Sequence, residues 1–86
     1  MLFRSLLSRN PGLAVVIVGH SDNQGSLDAN IALSKRRAQA VRAALIERGV
    51  AAGRLEAHGV GYLAPVSTNA TEAGRNLNRR VELVLR

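Results

Sequence analysis

Residues 13–49 read LAVVIVGHSDNQGSLDANIALSKRRAQAVRAALIERG, and the fold turns on this stretch. Leu13–Val18 is an unbroken apolar run rich in β-branched residues. Such a run suits a strand covered on both faces, as in a parallel sheet. Gly19 to Ser26 is a polar loop. A long helix then runs from Leu27 or Asp28 to Arg48, and Gly49 stands where a glycine commonly follows a helix C-terminus.

Downstream, Arg54–Gly59 reads as a second strand. Strand, helix and strand in that order form a βαβ unit, whose crossover should be right-handed. Gly59 to Pro65 is a loop. Asn69 to Asn78 is polar and turn-rich, with one helical turn at Thr71–Gly74. Arg80 to Arg86 alternates, with Val81, Leu83 and Leu85 on a drier side and Glu82 and Val84 on the other. Upstream, Leu2, Phe3, Leu6 and Leu7 recur at helical spacing, so residues 1–9 read as the end of a helix that Asn10-Pro11-Gly12 terminates. The chain is thus expected to be a single domain over residues 1–86. Its class is α/β (α+β), with about three strands and one complete helix, thin for a sheet.

Composition narrows the partners. Apolar residues make up 47% and aromatic residues only 2%, so the core must be aliphatic, with Phe3 and Tyr62 the only large rings. The net charge is +6, mostly arginine. Single-strand nucleic-acid binding usually needs aromatic stacking platforms, which are missing. Duplex binding through Arg36, Arg37, Arg42, Arg48, Arg79 and Arg80 is the alternative function, although the charge is scattered rather than gathered in one block. Without cysteine there is no disulfide or thiolate metal site. His20 and His58 alone make a weak metal case. His20, Ser21 and Asp22 are adjacent, and neighbours on an extended segment point to opposite sides, a poor basis for a triad. No cofactor and no catalysis are expected. The segment from Met1 to Gly19 reads as structure rather than a targeting signal, because Arg4, Arg9 and Pro11 break its apolar run.

On a helical wheel at about 100° per residue, Leu33, Ala40, Val41 and Ala44 form one stripe that should face the sheet. Arg37 falls in its middle. An inward arginine is costly unless it is paired, lets its head reach water, or clamps an anion through its planar fork. Its expected companion is Asp22, just past the strand end where open α/β sheets bind ligands. Arg37 stands some ten residues into the helix, roughly 15 Å of rise, so the two converge only if the loop folds back. Asp28 and Asn30 are most simply capping residues.

The stretch Gly19-His20-Ser21-Asp22-Asn23-Gln24-Gly25, then Asn30, Leu33-Ser34-Lys35-Arg36-Arg37-Ala38 and Val41, resembles the central signature of OmpA-like (OmpA/MotB C-terminal) domains. Gly49-Val50, Gly59-Val60-Gly61, Pro65 and Gly74-Arg75-Asn76-Leu77-Asn78-Arg79-Arg80-Val81-Glu82 extend the likeness from about Asn10 to the C-terminus. The resemblance implies a two-layer βαβαβ-type sandwich that binds peptidoglycan without covalent chemistry in the periplasm or outer-membrane envelope. It implies that Asp22 holds the ammonium of diaminopimelate in the stem peptide and that Arg37 holds its carboxylate. Asn30 is expected to shape the site, through backbone contacts. Asn78 is expected either to touch ligand or to order the loop before the last strand. The family's first strand and most of its first helix have no counterpart before Met1, so the expected domain is N-terminally truncated. Its open sheet edge would invite pairing, such as a homodimer. Any membrane attachment or export signal would belong to a longer parent protein.

Overall fold

The computed structural model describes Leu7 and residues 9–86. The helix expected over residues 1–9 falls largely outside the described residues; Leu7 and Arg9 are helical. The elements that follow are β1 (Val15–Gly19), α1 (Leu27–Glu47), a 3-10 turn (Ala52–Arg54), β2 (Leu55–Gly59), α2 (Glu72–Asn78) and β3 (Val81–Leu85). The sheet order is β2-β1-β3, with β1 parallel to β2 and antiparallel to β3. Gly19 pairs with Gly59 on one side and Val81 on the other. The ends of both parallel strands and the start of β3 therefore meet at one end of the sheet.

Ser26 caps α1, its hydroxyl accepting from the Ala29 N–H at 3.2 Å, and Asp28 adds negative charge in the first turn. At the other end the Val50 N–H donates back to the Leu45 carbonyl across Gly49. This turn brings Val50 into the same core cluster as Leu45. The cluster also holds Leu7, Val15, Ile17, Ala38 and Leu55, with Leu13, Val41, Ala57 and Val81 packed against it. It is aliphatic throughout.

Two glycines let α1 approach the sheet. A Cβ on Gly19 would stand 2.0 Å from the Ser34 carbonyl oxygen, and one on Gly59 would stand 2.3 Å from the Lys35 nitrogen. Both obstacles are backbone, so no side chain could move aside. The sheet-facing positions of α1 are correspondingly small where the contact is tightest: Ser34 and Ala38 are fully buried, followed by Val41 and Leu45. This corrects the stripe expected from the wheel. Ala40 and Arg37 are exposed, and Leu33 and Ala44 are only half-buried. Apolarity pointed to the wrong face because close packing selected small residues, one of them polar.

Three other expectations change. Along β1, Val15, Ile17 and Gly19 are buried while Val16 and Val18 are half-buried, because α1 covers one face of the sheet rather than both. In β3, only Val81 of the expected drier side packs against the core, while Leu83 and Leu85 are as exposed as Val84, at 44–46%. The helix lies over β1 and β2 and barely reaches this edge strand. The single turn expected at Thr71–Gly74 is a helix, α2, extending to Asn78. Thr71 caps it by accepting from the Gly74 N–H at 3.0 Å. Gly74, a poor helix former, is needed there because a Cβ would stand 1.9 Å from the Thr68 carbonyl oxygen.

Candidate functional site

Beyond Gly19 the chain leaves the sheet, and its backbone is tied down at once. The His20 N–H donates to the Arg80 carbonyl and the Ser21 N–H to the Gly61 carbonyl, both at 2.8 Å. The Ser34 hydroxyl accepts from the Gly61 N–H at 3.0 Å and donates to the Ile31 carbonyl. The loops after β1 and β2 are thereby fixed to α1. His20, Ser21, Asp22, Asn30, Ser34 and Asn78 are all buried on or beside these loops.

Asp22 is 7% exposed. One carboxylate oxygen accepts from the Gln24 N–H at 3.0 Å, and the other accepts from Nη1 of Arg79. The Gln24 N–H, followed by the hydrogen bond and charge of Arg79, holds its pKa below the usual carboxylate value, against the opposing effect of burial. Asp22 is therefore an anion at neutral pH. Asn30 steadies the loop: its side-chain amide donates to the Gln24 carbonyl at 2.7 Å and the Ser26 carbonyl at 2.9 Å. Ser26, not Asn30 or Asp28, supplies the helix cap.

Arg79, expected only among the arginines of the duplex-binding alternative, is the residue whose pairing with Asp22 sequence reasoning missed. Its Nη1 bonds Asp22, and its Nη2 bonds Glu72 at 2.5 Å and Asn76. Hydrogen bonds from Arg79 and then Arg75 lower the pKa of Glu72. The only signal was its place in Asn78-Arg79-Arg80 at the entry to β3, since Asp22 lies far away in sequence.

Asn78 is fully buried, and its amide is engaged on both sides. Its oxygen accepts from the N–H groups of Val66 and Ser67, and its nitrogen donates to the Ser67 carbonyl and the Asn69 side chain. This is a correction to its expected place among ligand-binding residues: the side chain orders the 66–69 loop and presents no unengaged polar atom.

Arg37 is also corrected, from an inward residue to an exposed one, and it bonds no described residue. α1 overshoots the strand ends, so Ser34 rather than Leu27 lies against Gly19. Arg37 is one turn from that crossing, and helical side chains lean toward the N-terminus.

His20 is 4% exposed, and neither ring nitrogen has a hydrogen-bond partner among the described residues. Glu82 approaches Nε2 at 3.5 Å. Burial first, and then the charge of Arg80, push its pKa below the ordinary imidazole value, with Glu82 opposing them. The Ser21 hydroxyl donates to the Asp22 carbonyl at 2.9 Å rather than to the imidazole, so these neighbours do not form a nucleophile and base. Among the described residues no three potential metal ligands cluster, and no helix is long and apolar enough to cross a membrane. Of the six arginines that suggested duplex binding, four are engaged internally. Arg42 bonds the Leu55 and Ala52 carbonyls, Arg48 the Ala44 carbonyl, Arg79 acts as above, and Arg80 bonds Glu82 and the Ala64 carbonyl.

A sequence model of the OmpA family matches residues 2–79. The chain is 41% identical over 80 residues to the probable lipoprotein YiaD of Escherichia coli, covering 93% of this chain and 36% of that protein. It is 45% identical over 75 residues to the peptidoglycan-binding protein ArfA of Mycobacterium tuberculosis, covering 87% of this chain and 23% of that one. The peptidoglycan-associated lipoprotein of Burkholderia pseudomallei superposes with a TM-score of 0.93 at 35% identity, over 99% of this chain and 72% of that structure. The chain thus spans about a third or less of these two sequence relatives. It belongs to the OmpA family.

Proposed function

We propose that this OmpA-family chain is a non-catalytic peptidoglycan-binding module that anchors a cell-envelope protein to the wall from the periplasmic side. Asp22 takes the ammonium of diaminopimelate in the stem peptide, and Arg37 takes its carboxylate. The observation that carries this reading is Asp22 itself: a buried, ionised carboxylate in an Asn30-braced loop beyond the ends of two parallel strands. Such an anion is costly to desolvate unless it is paired, and a ligand cation could take the pairing position that Arg79 now holds. An exposed Arg37 without a partner among the described residues supports the second half, since its fork suits a bidentate carboxylate. The relatives that carry peptidoglycan in their names agree with the ligand class.

A stem residue lacking either charge would leave one protein charge unpaired, which gives selectivity. Co-sedimentation with purified sacculi tests the reading. Diaminopimelate-type sacculi should pellet the parent protein, while Asp22→Ala and Arg37→Ala should each reduce the pelleted fraction by roughly tenfold or more, in line with lost charge-assisted hydrogen bonds. Sacculi carrying lysine at the third stem position keep the ammonium but lack the carboxylate, so they should pellet the parent poorly. Both variants pelleting like the parent would remove the assignment.

A further inference from the structure

Arg79 occupies the acidic half of the site that the preceding reading assigns to a ligand. Asp22 has both carboxylate oxygens engaged, one by the Gln24 N–H and the other by Arg79. Its side chain is only 9% exposed, whereas that of Arg79 is 28% exposed. The guanidinium is thus the more exposed partner of a nearly closed carboxylate, and an ammonium that pairs with the same oxygen would compete with it. Arg79 is not bound to Asp22 alone. Its other terminal nitrogen already bonds Glu72 and Asn76 on α2. Glu72 itself is anchored by Arg75, whose Nε and Nη2 both bond it. If Arg79 left Asp22, it would keep an anionic partner outside the pocket.

We propose that Arg79 is a specificity-determining residue that acts as an internal competitor for Asp22. It occupies the acidic subsite of the free protein and, when a ligand ammonium takes its place, releases Asp22 while staying on Glu72 and Asn76. This inference rests on Asp22 being the ammonium subsite. The physical consequence is a threshold. A cation entering the pocket gains Asp22 but must replace an existing ion pair, so its net gain is small. A ligand that also delivers a carboxylate to Arg37 has a second, uncontested contact. Charge selectivity then comes from the contest at Asp22 as well as from the attraction at Arg37.

The alternative is that Arg79 aims Asp22 at the ligand and helps binding. The two roles predict opposite signs. Isothermal titration with a soluble stem tripeptide ending in diaminopimelate separates them, using a second peptide whose side-chain amine is acetylated. Internal competition predicts that Arg79→Gln binds the free-amine peptide about fivefold more tightly, the scale of a modest ion pair, with little change for the acetylated peptide. Glu72→Gln, which removes the outer anchor, should weaken the free-amine peptide by a few-fold. Weaker or unchanged binding of that peptide in Arg79→Gln overturns the proposal. So does an equal gain for both peptides, since the effect would not then concern the ammonium. Asp22→Asn run in parallel distinguishes the failures. Parental affinity there removes the acidic subsite itself and the inference with it. Lost affinity there without a gain in Arg79→Gln removes only the role of Arg79. Circular dichroism on each variant confirms the folded fraction used in the fit.

Discussion

The two ends of the α1–sheet layer follow opposite rules. At the end formed by Leu45, Val50, Leu55 and Leu7, buried residues are aliphatic, and arginines, among them Arg42 and Arg54, satisfy backbone carbonyls. Of these two, Arg54 reaches further along the chain. Its guanidinium donates to Leu7, Asn10 and Leu13 at 2.8, 2.6 and 2.9 Å, tying the opening segment to the turn before β2. At the Gly19 end, the buried residues include His20, Ser21, Asp22, Asn30, Ser34 and Asn78. Apolar burial stabilises by about 25 cal/mol per Å², whereas each buried polar group must recover its desolvation through hydrogen bonds. The aliphatic end is therefore the source of stability. The polar end depends on it, and holds a fixed anion tied to the Gln24 N–H and to Arg79.

The contrast can be broken from either side. The largest effect is expected from Leu45→Ala, which removes a 7% exposed side chain from the aliphatic end and should cost about 2–5 kcal/mol. Urea denaturation should show the loss, while the folded fraction should pellet with sacculi as before. Reduced binding by folded Leu45→Ala would mean that the two ends are coupled. A smaller loss, about 1–3 kcal/mol, is expected for Asn78→Ala. It strands the N–H groups of Val66 and Ser67, which now share one oxygen. Because that loop is hydrogen-bonded to Arg80 through the Ala64 carbonyl, mobility should spread toward β3 and be visible in amide hydrogen exchange.

How far the sequence discloses the molecule also differs between the two ends. The β-branched run, the loop and the long helix were legible because each has a strong local signal, and Gly49 and Val50 close the helix as its chemistry suggests. The orientation of α1 was not legible. Its apolar residues surround much of the helix, and the buried face was chosen by Gly19 and Gly59, which are silent in a hydrophobicity pattern. The short helix α2 was hidden by Gly74 and by asparagines, which favour turns when read locally. Asp22 could be singled out from its place beyond a strand. Its pairing with Arg79 could not, because it is a tertiary contact between a loop and the far end of the chain. Asn78 shows the reverse case: the sequence allowed two roles, and only the filled hydrogen-bonding capacity of the buried amide separates them.

The smallest effect concerns His20 and is the sharpest test of how the polar end is held. The ring is buried, lacks hydrogen-bond partners among the described residues, and faces Arg80 and Glu82 from the β3 side. Its folded pKa lies below the ordinary imidazole value of about 6.5. Between that lowered value and 6.5 the unfolded chain binds a proton that the folded chain rejects. Stability should accordingly be full above about pH 6.5 and fall as the pH drops toward the folded value, by at most about 1.4 kcal/mol per pH unit for one proton. Asp22 acts in the acid range: its depressed pKa supplies stability above the unfolded carboxylate value, and this is lost only as the pH falls through the folded one. The His20 effect can therefore be read alone between about pH 5 and 7. His20→Leu, close in volume and without a titratable proton, should flatten the denaturation midpoint across that window and leave the steeper acid limb unchanged. An equal slope in parent and variant would mean that Glu82 offsets the burial, so that the ring accepts its proton in the folded state as readily as in the unfolded one.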